Sequence, residues 1–334
     1  MTRDQWNGAR FHRSTRAGHY ESWFQRANHP SRALAFWIRY TIFCPKNRPE
    51  DAIGELWAVY FDGEGKRVLA VKEEHPIIAC NFAKDTLDAT IADARLDRSS
   101  LEGTARANGS SITWALTYDS PHAPLFILPE AMYEGSFPKA KLLVGSPGAR
   151  YRGHLDVDGE RIPIEDWVGS QNHNWGSQHT DAYAWGQVMG FDDAPDAFLE
   201  ISTAQVAIGP LRTPKMTILV LRLGREELRF DGIAGALRAR ATYEPFHWAF
   251  SLSRRNLRVS GTIAAPPSSF VALPYMNPPG GTKTCLNSKL ARCDLTVERN
   301  GHERHLSTAH RAAFEILSDE HAPEGVPTLV VQRG

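Results

Sequence analysis

The feature that most constrains this chain is a succession of short aromatic or β-branched runs separated by turn dipeptides, with no long helical period to compete. HYESWF, AFWIRYTIF, ELWAVYF, RVLAVK, ITWALTY and KLLVG are each of strand length and bounded by Gly, Pro or Asp. Asp62-Gly63, Asn108-Gly109, Asp158-Gly159 and Asn300-Gly301 fall between such runs, and these dipeptides accept the positive φ angles of tight hairpin loops. Antiparallel hairpins are the consequence. Only HRAAFEILSDEH, from His310, carries helical promise.

The second half repeats the grammar of the first. AFWIRYT at Ala35 is similar to AFLEIST at Ala197, and Trp57 of WAVYF matches Ile218 of ILVLR. Trp114 matches Trp248, Pro138 matches Pro278, and Leu155-Asp156-Val157 matches Leu295-Thr296-Val297, all in the same order. A duplicated unit of hairpins closes most simply as a barrel or deep sandwich, which removes unpaired edges. The expected fold class is therefore all-β, with two antiparallel β-barrel domains in tandem. Residues 1–17 read as a charged arm, 18–168 as the first barrel and 169–334 as the second.

Charge excludes some partners. Lys plus Arg equals Asp plus Glu at 38 each, so no net field draws the chain to nucleic acid or an anionic membrane. No apolar run reaches the roughly 20 residues of a membrane span, and the polar, basic N-terminus lacks the apolar core of a secretory signal, so a cytoplasmic location is expected. Four cysteines without CxxC spacing read as reduced, buried thiols.

Side-chain chemistry is densest at the midpoint, in GSQNHNWGSQHTDAYAWGQVMGFDD from Gly169. His173, His179 and Asp181 invite a metal reading, but Gly176 interrupts them and no HxH or HExxH spacing occurs, so no metal and no cofactor are expected. A structural reading, in which these groups tie down a loop between domains, stands beside the functional one. NPPGGTKT, from Asn277, lacks the phosphate-loop spacing and reads as a turn. No GxSxG nucleophile elbow is present.

GHYESWF, His173-x-Trp175-Gly176, YAWGQV and AFLEIS together resemble the lipocalin-like superfamily of carotenoid 1,2-hydratases, tocopherol cyclases, AttH-type proteins and Diels–Alderase-like pericyclases. The resemblance implies two tandem lipocalin-like barrels over nearly the whole chain. Its hydratase branch pairs His-x-Trp with a later Tyr-x-Asp. His173 and Trp175 match the first element, while the second falls on Phe198-Leu199-Glu200, two residues early, keeping a carboxylic acid and losing the phenol.

Hydration or cyclisation of an alkene needs a strong enough acid and a lining that tolerates a cation. Burial raises a carboxyl pKa, and indole or phenol faces stabilise carbocations. Glu200 is the expected acid, with His173 and Asp181 as polar orienters. Trp175, Tyr183, Trp185, His179, Glu21 and Trp23 are the expected substrate-binding residues. Strand alternation equally allows Glu200 a solvent face between Leu199 and Ile201, and Glu21 or Asp181 could be the acid instead. The expected partner is an apolar small molecule, isoprenoid, polyene or lipid-like, with peripheral membrane contact as its route of access. A non-catalytic carrier is the alternative, and a barrel protein with a filled core is the third.

Overall fold

Turn chemistry fixes the hairpins. In the computed structural model, which describes residues 3–135, 137–208 and 211–329, Asn108, Asp158 and Asn300 take φ of 53°, 50° and 52°, each followed by a glycine at positive φ. These are the two-residue loops that match strand twist. Asp62-Gly63 behaves differently: the Asp62 carboxylate accepts the backbone N–H groups of Glu64 and Gly65, and the loop runs to Lys66 before the next strand. All four cysteines are buried and free.

A first antiparallel sheet of twelve strands spans His19 to Gly176, and a second of ten spans Ala182 to Ser318. Both follow one plan. In the first, the long strand Glu160–Gly176 returns to pair with the opening strand His19–Asn28. In the second, His302–Ser318 returns to pair with Ala182–Met189. The first sheet curls until Arg67–Pro76 lies against Ser100–Ala107, where the Arg106 backbone N–H donates to Glu73. In the second, the short helix Ile233–Arg238 packs on strands Met216–Leu223 and His247–Arg254. The chain is all-β, with two tandem antiparallel barrels.

Three apolar layers hold the molecule. Trp23, Phe36, Tyr40, Trp114 and Trp167 fill the first barrel. Leu199, Ile201, Leu221, Trp248 and Phe314 fill the second. Phe24, Trp37, Trp57, Trp185, Leu273 and Tyr275 form a third layer between the sheets. Strand Leu34–Cys44 is buried at every position because one face lines the barrel and the other the inter-sheet layer, which is why it reads as a continuous apolar run. Each buried Phe or Leu there contributes about 1.5 to 3 kcal/mol.

Three expectations change. HRAAFEILSDEH lies mostly in strand His302–Ser318, whose ladder to both neighbours overrides its helical propensity. The match of AFWIRYT to AFLEIST pairs residues on opposite faces. Phe36 lies in the first barrel, whereas Phe198, its counterpart in that match, lies outside the second; Trp23 and Trp185, which stand at the same spacing, differ in the same way, the first inside its barrel and the second in the inter-sheet layer. A one-residue slip does this, since strand side chains alternate. The arm is also no free arm. Asn7 to Ala9 are buried, the Trp23 indole donates to the Asn7 carbonyl, and Asn7 Nδ2 donates to Gln171.

Candidate functional site

Strand parity divides the expected residues into two groups. On the return strand Glu160–Gly176, Gln171, His173 and Trp175 share one face, with Ser170 and Asn172 on the other. His173 and Trp175 join the contents of the first barrel, beside Trp23 and Glu21 from the paired strand. The fully buried Glu21 carboxylate accepts His173 Nε2 at 2.9 Å, His19 Nε2 at 2.9 Å, the Arg10 backbone N–H at 2.9 Å and the Phe11 N–H at 3.0 Å. Burial pushes its pKa up, but the bonds from His173 and His19 outweigh that and bring it to about 2. Glu21 is thus a clamp for the N-terminal segment, ionised and saturated, and a poor proton donor. His173 is fixed on its other side by the Trp6 carbonyl at 3.1 Å and stacks on Trp23. Burial lowers its pKa against the pull of Glu21.

The second group lies between the sheets. Glu200 is fully buried, so its solvent-facing alternative is removed. Its Oε1 accepts Trp185 Nε1 at 2.7 Å and its Oε2 accepts Gln187 Nε2 at 2.8 Å. Gln187 is held in turn by Arg26 Nε at 2.8 Å and Ser170 Oγ at 2.7 Å, and it donates to Asn172 at 2.9 Å. Burial raises the Glu200 pKa to about 7, with the two hydrogen bonds and Arg26 opposing. The result is a carboxyl divided between its two forms near neutrality. A further pair, Lys289 with Glu315 at 2.8 Å, lies in the same layer. Arg26, Lys289 and Glu315 are buried ionic groups that periodicity did not reveal, because a strand buried on both faces has no polar side to betray them.

His179 stacks on Tyr20 at 4.1 Å between centroids and on Tyr275 at 5.6 Å. Its backbone N–H donates to Asn277 of the NPPGG turn. Burial, reinforced by Arg39, lowers its pKa to about 3. Asp181 joins the site through its carbonyl, which accepts Lys283 Nζ at 2.9 Å. Tyr183 is half-buried, and burial above all raises its phenol pKa. Among the described residues no cluster of three or more His, Cys, Asp or Glu could hold a metal ion.

An open cleft of about 620 Å³ lies at the mouth of the first barrel, lined by Trp6, Arg10, Tyr133, Lys141 and Trp175. Arg10 sits 4.2 Å over the Trp175 ring. Tyr133 closes one side of this cleft: its phenol donates to the Leu142 carbonyl at 2.6 Å, and burial pushes its pKa up. The connection carrying Tyr133 covers the Glu200 end of the layer, with Leu125 and Ile127 packed on Met189, Phe198 and Val220. Arg229 donates to the Phe126 carbonyl at 2.5 Å.

Comparison with known proteins places this architecture. The chain superposes on an AttH-type protein of Nitrosomonas europaea with a TM-score of 0.56 at 12% identity, covering 94% of this chain and 95% of that one. It superposes on kievitone hydratase from Nectria haematococca with a TM-score of 0.59 at 12% identity, covering 90% and 89%. The chain has the lipocalin-like two-barrel fold. CghA, solved with Sch210972, gives a TM-score of 0.53 at 11% identity over 91% and 90% of the two chains. In sequence, two uncharacterized proteins of Mycobacterium tuberculosis, from strains CDC 1551 and H37Rv, are each 24% identical over 97% of this chain and 92% of their own length. No protein-family profile matches the chain. No helix among the described residues is long and apolar enough to cross a membrane.

Proposed function

We propose that this lipocalin-like protein binds an apolar small molecule and protonates a C=C bond in it, with Glu200 as the acid, so that hydration or cyclisation follows. The observation that carries this reading is the fully buried Glu200 carboxyl, poised at about 7 in a cage of indole and amide donors. An acid that matches the working pH transfers its proton most efficiently. Trp185 Nε1–H and Gln187 Nε2–H already point at both oxygens, so the conjugate base left by proton transfer meets preorganised donors. The Trp185 indole adjoins Glu200, and an indole face favours a cation.

In hydration the Glu200 proton goes to one alkene carbon and water oxygen bonds the other. A proton of that water then returns to Glu200, for a net addition of one water. In cyclisation a second alkene attacks the cation, and loss of a proton to Glu200 closes the cycle. The cleft at Trp6, Tyr133 and Trp175 falls within the range of about 300 to 1,000 Å³ for small-molecule pockets. The ligand reaches Glu200 from there as Tyr133 and the connection around Leu125 move aside. That the fold is shared with a hydratase supports the class of reaction.

The test is to replace Glu200 by Gln, isolate the precursor that co-purifies with this variant, and follow its turnover by both proteins. Turnover should fall by at least 100-fold while binding persists. Retained turnover removes Glu200 from the mechanism, and binding without turnover in the wild-type protein establishes the carrier instead.

A further inference from the structure

The cleft at the mouth of the first barrel holds two cations that no acid answers. Lys141, near the start of strand Ala140–Val157, lies directly across from Trp175 on the return strand, so the two side chains share one face. It is 7% exposed. Its Nζ donates to the carbonyls of Gly135 at 2.7 Å and Pro138 at 2.9 Å, and no carboxylate among the described residues pairs with it. Arg10 is half-buried in the same cleft, its guanidinium over the Trp175 ring. Its side chain donates to the carbonyls of Gly8 and Trp6, and it too meets no carboxylate among the described residues.

The acids nearby are engaged or outside. Glu21, whose charge acts on Arg10, is already saturated by His173, His19 and two backbone N–H groups. Asp85 and Glu134 stand exposed on the cleft lining, as does Lys84. Burial, and after it the Arg10 charge, lowers the Lys141 pKa, so the two cations oppose one another with no anion between them. A buried charge is costly unless it is paired. Both side chains keep N–H donors to spare, since an ammonium carries three and a guanidinium five.

We infer that Arg10 and Lys141 grip the carboxylate of an apolar organic acid, so that the ligand class of this cleft is an amphiphilic acid. This rests on the reading of the cleft as the ligand's entrance. At about 620 Å³ the cleft has room for head group and body together. Charge selects the head group. Arg10, Lys84 and Lys141 against Asp85 and Glu134 leave the lining with a net charge of +1, which one carboxylate neutralises and a phosphate dianion exceeds. The planar guanidinium also matches a carboxylate in shape. Behind the head group, Trp6 meets Phe126 at 4.9 Å and Tyr133 at 5.8 Å between ring centroids, an aromatic wall for the apolar body.

Isothermal titration calorimetry with 2-naphthoate tests the assignment, against 2-naphthamide as the neutral isostere and 2-naphthyl phosphate as the dianion. At neutral pH and low ionic strength, naphthoate should bind at least tenfold more tightly than either. Lys141→Gln keeps an N–H donor for the Gly135 or Pro138 carbonyl and removes the charge; it should erase the preference for naphthoate over the amide while amide binding persists and circular dichroism is unchanged. Should Lys141→Gln not fold, Arg10→Gln, at a half-buried position, carries the same test. A crystal grown with 2-naphthoate should place its carboxylate between Arg10 and Lys141. Equal binding of naphthoate and amide, tighter binding of the phosphate, an undiminished preference in a folded variant, or a carboxylate elsewhere in that crystal would each overturn the proposal. The readout is binding and not turnover, so it separates this site from the acid. Loss of the naphthoate preference beside a turnover defect in Glu200→Gln refutes this site alone, and a naphthoate preference beside full turnover in Glu200→Gln refutes the acid alone.

Discussion

Replacing Glu200 by Gln deletes the carboxyl whose ionisation the inter-sheet layer opposes, and the effect on stability follows from its environment. Its folded pKa of about 7 exceeds the ordinary 4.5 by 7 − 4.5 = 2.5 units. At about 1.4 kcal/mol per unit, that difference is on the order of 3 kcal/mol. Because the folded value is raised, the folded state binds the proton more tightly. The contribution is complete below the ordinary value near 4.5 and is lost as pH rises through about 7. Between about pH 5 and pH 7 the wild-type protein should therefore lose roughly 2 kcal/mol that Glu200→Gln does not lose. The amide brings an N–H₂ against one of the donors Trp185 and Gln187, at a cost of about 1 to 3 kcal/mol that is the same at every pH. Urea unfolding at several pH values separates the two effects. The difference between the curves should carry a slope through neutrality, and parallel curves would refute the raised pKa and with it the poised acid.

Other consequences are as direct. Glu21, held at about 2 by His173 and His19, contributes stability that is present above the ordinary 4.5 and is lost as pH falls through 2. The difference of 4.5 − 2 = 2.5 units is about 3 kcal/mol; Glu21→Gln should lose most of it and speed tryptic cleavage in the segment 10–16, measured by mass spectrometry. Lys289→Met alone leaves the Glu315 charge buried and should cost about 3 to 5 kcal/mol, while the double change with Glu315→Leu should recover most of it in a denaturation cycle. Gly169→Ala would put a Cβ 1.7 Å from the Arg26 carbonyl, so strand pairing must yield there and the melting temperature should fall markedly.

Much of the fold was legible because its cause is local. Asn108-Gly109, Asp158-Gly159 and Asn300-Gly301 specify tight turns through φ alone, and aromatic runs between them specify strands. Duplication was legible in order, while the AFWIRYT match slipped by one residue because similarity does not record which face a side chain takes. The run from His310 was misleading for a different reason: its alanines favour helix, but a central position between two strands decides otherwise. At the site, the midpoint segment was visible as chemistry and its partition was not. His173 and Trp175 go to the barrel and Tyr183 and Trp185 to the inter-sheet layer because the chain turns between Gly176 and Ala182. Arg26 and Lys289 were missed since the partners that bury them, Gln187 and Glu315, lie 161 and 26 residues away in sequence.

The claim that Glu200 protonates an apolar ligand is tested most directly by mass spectrometry of the small molecules carried by the protein purified from its own host. Wild-type protein and Glu200→Gln are compared under identical extraction. The wild-type should carry a product, and the variant should accumulate the precursor, lighter by one water for hydration or of equal mass with one more C=C for cyclisation. The same compound in both proteins, or none in either, would contradict the account.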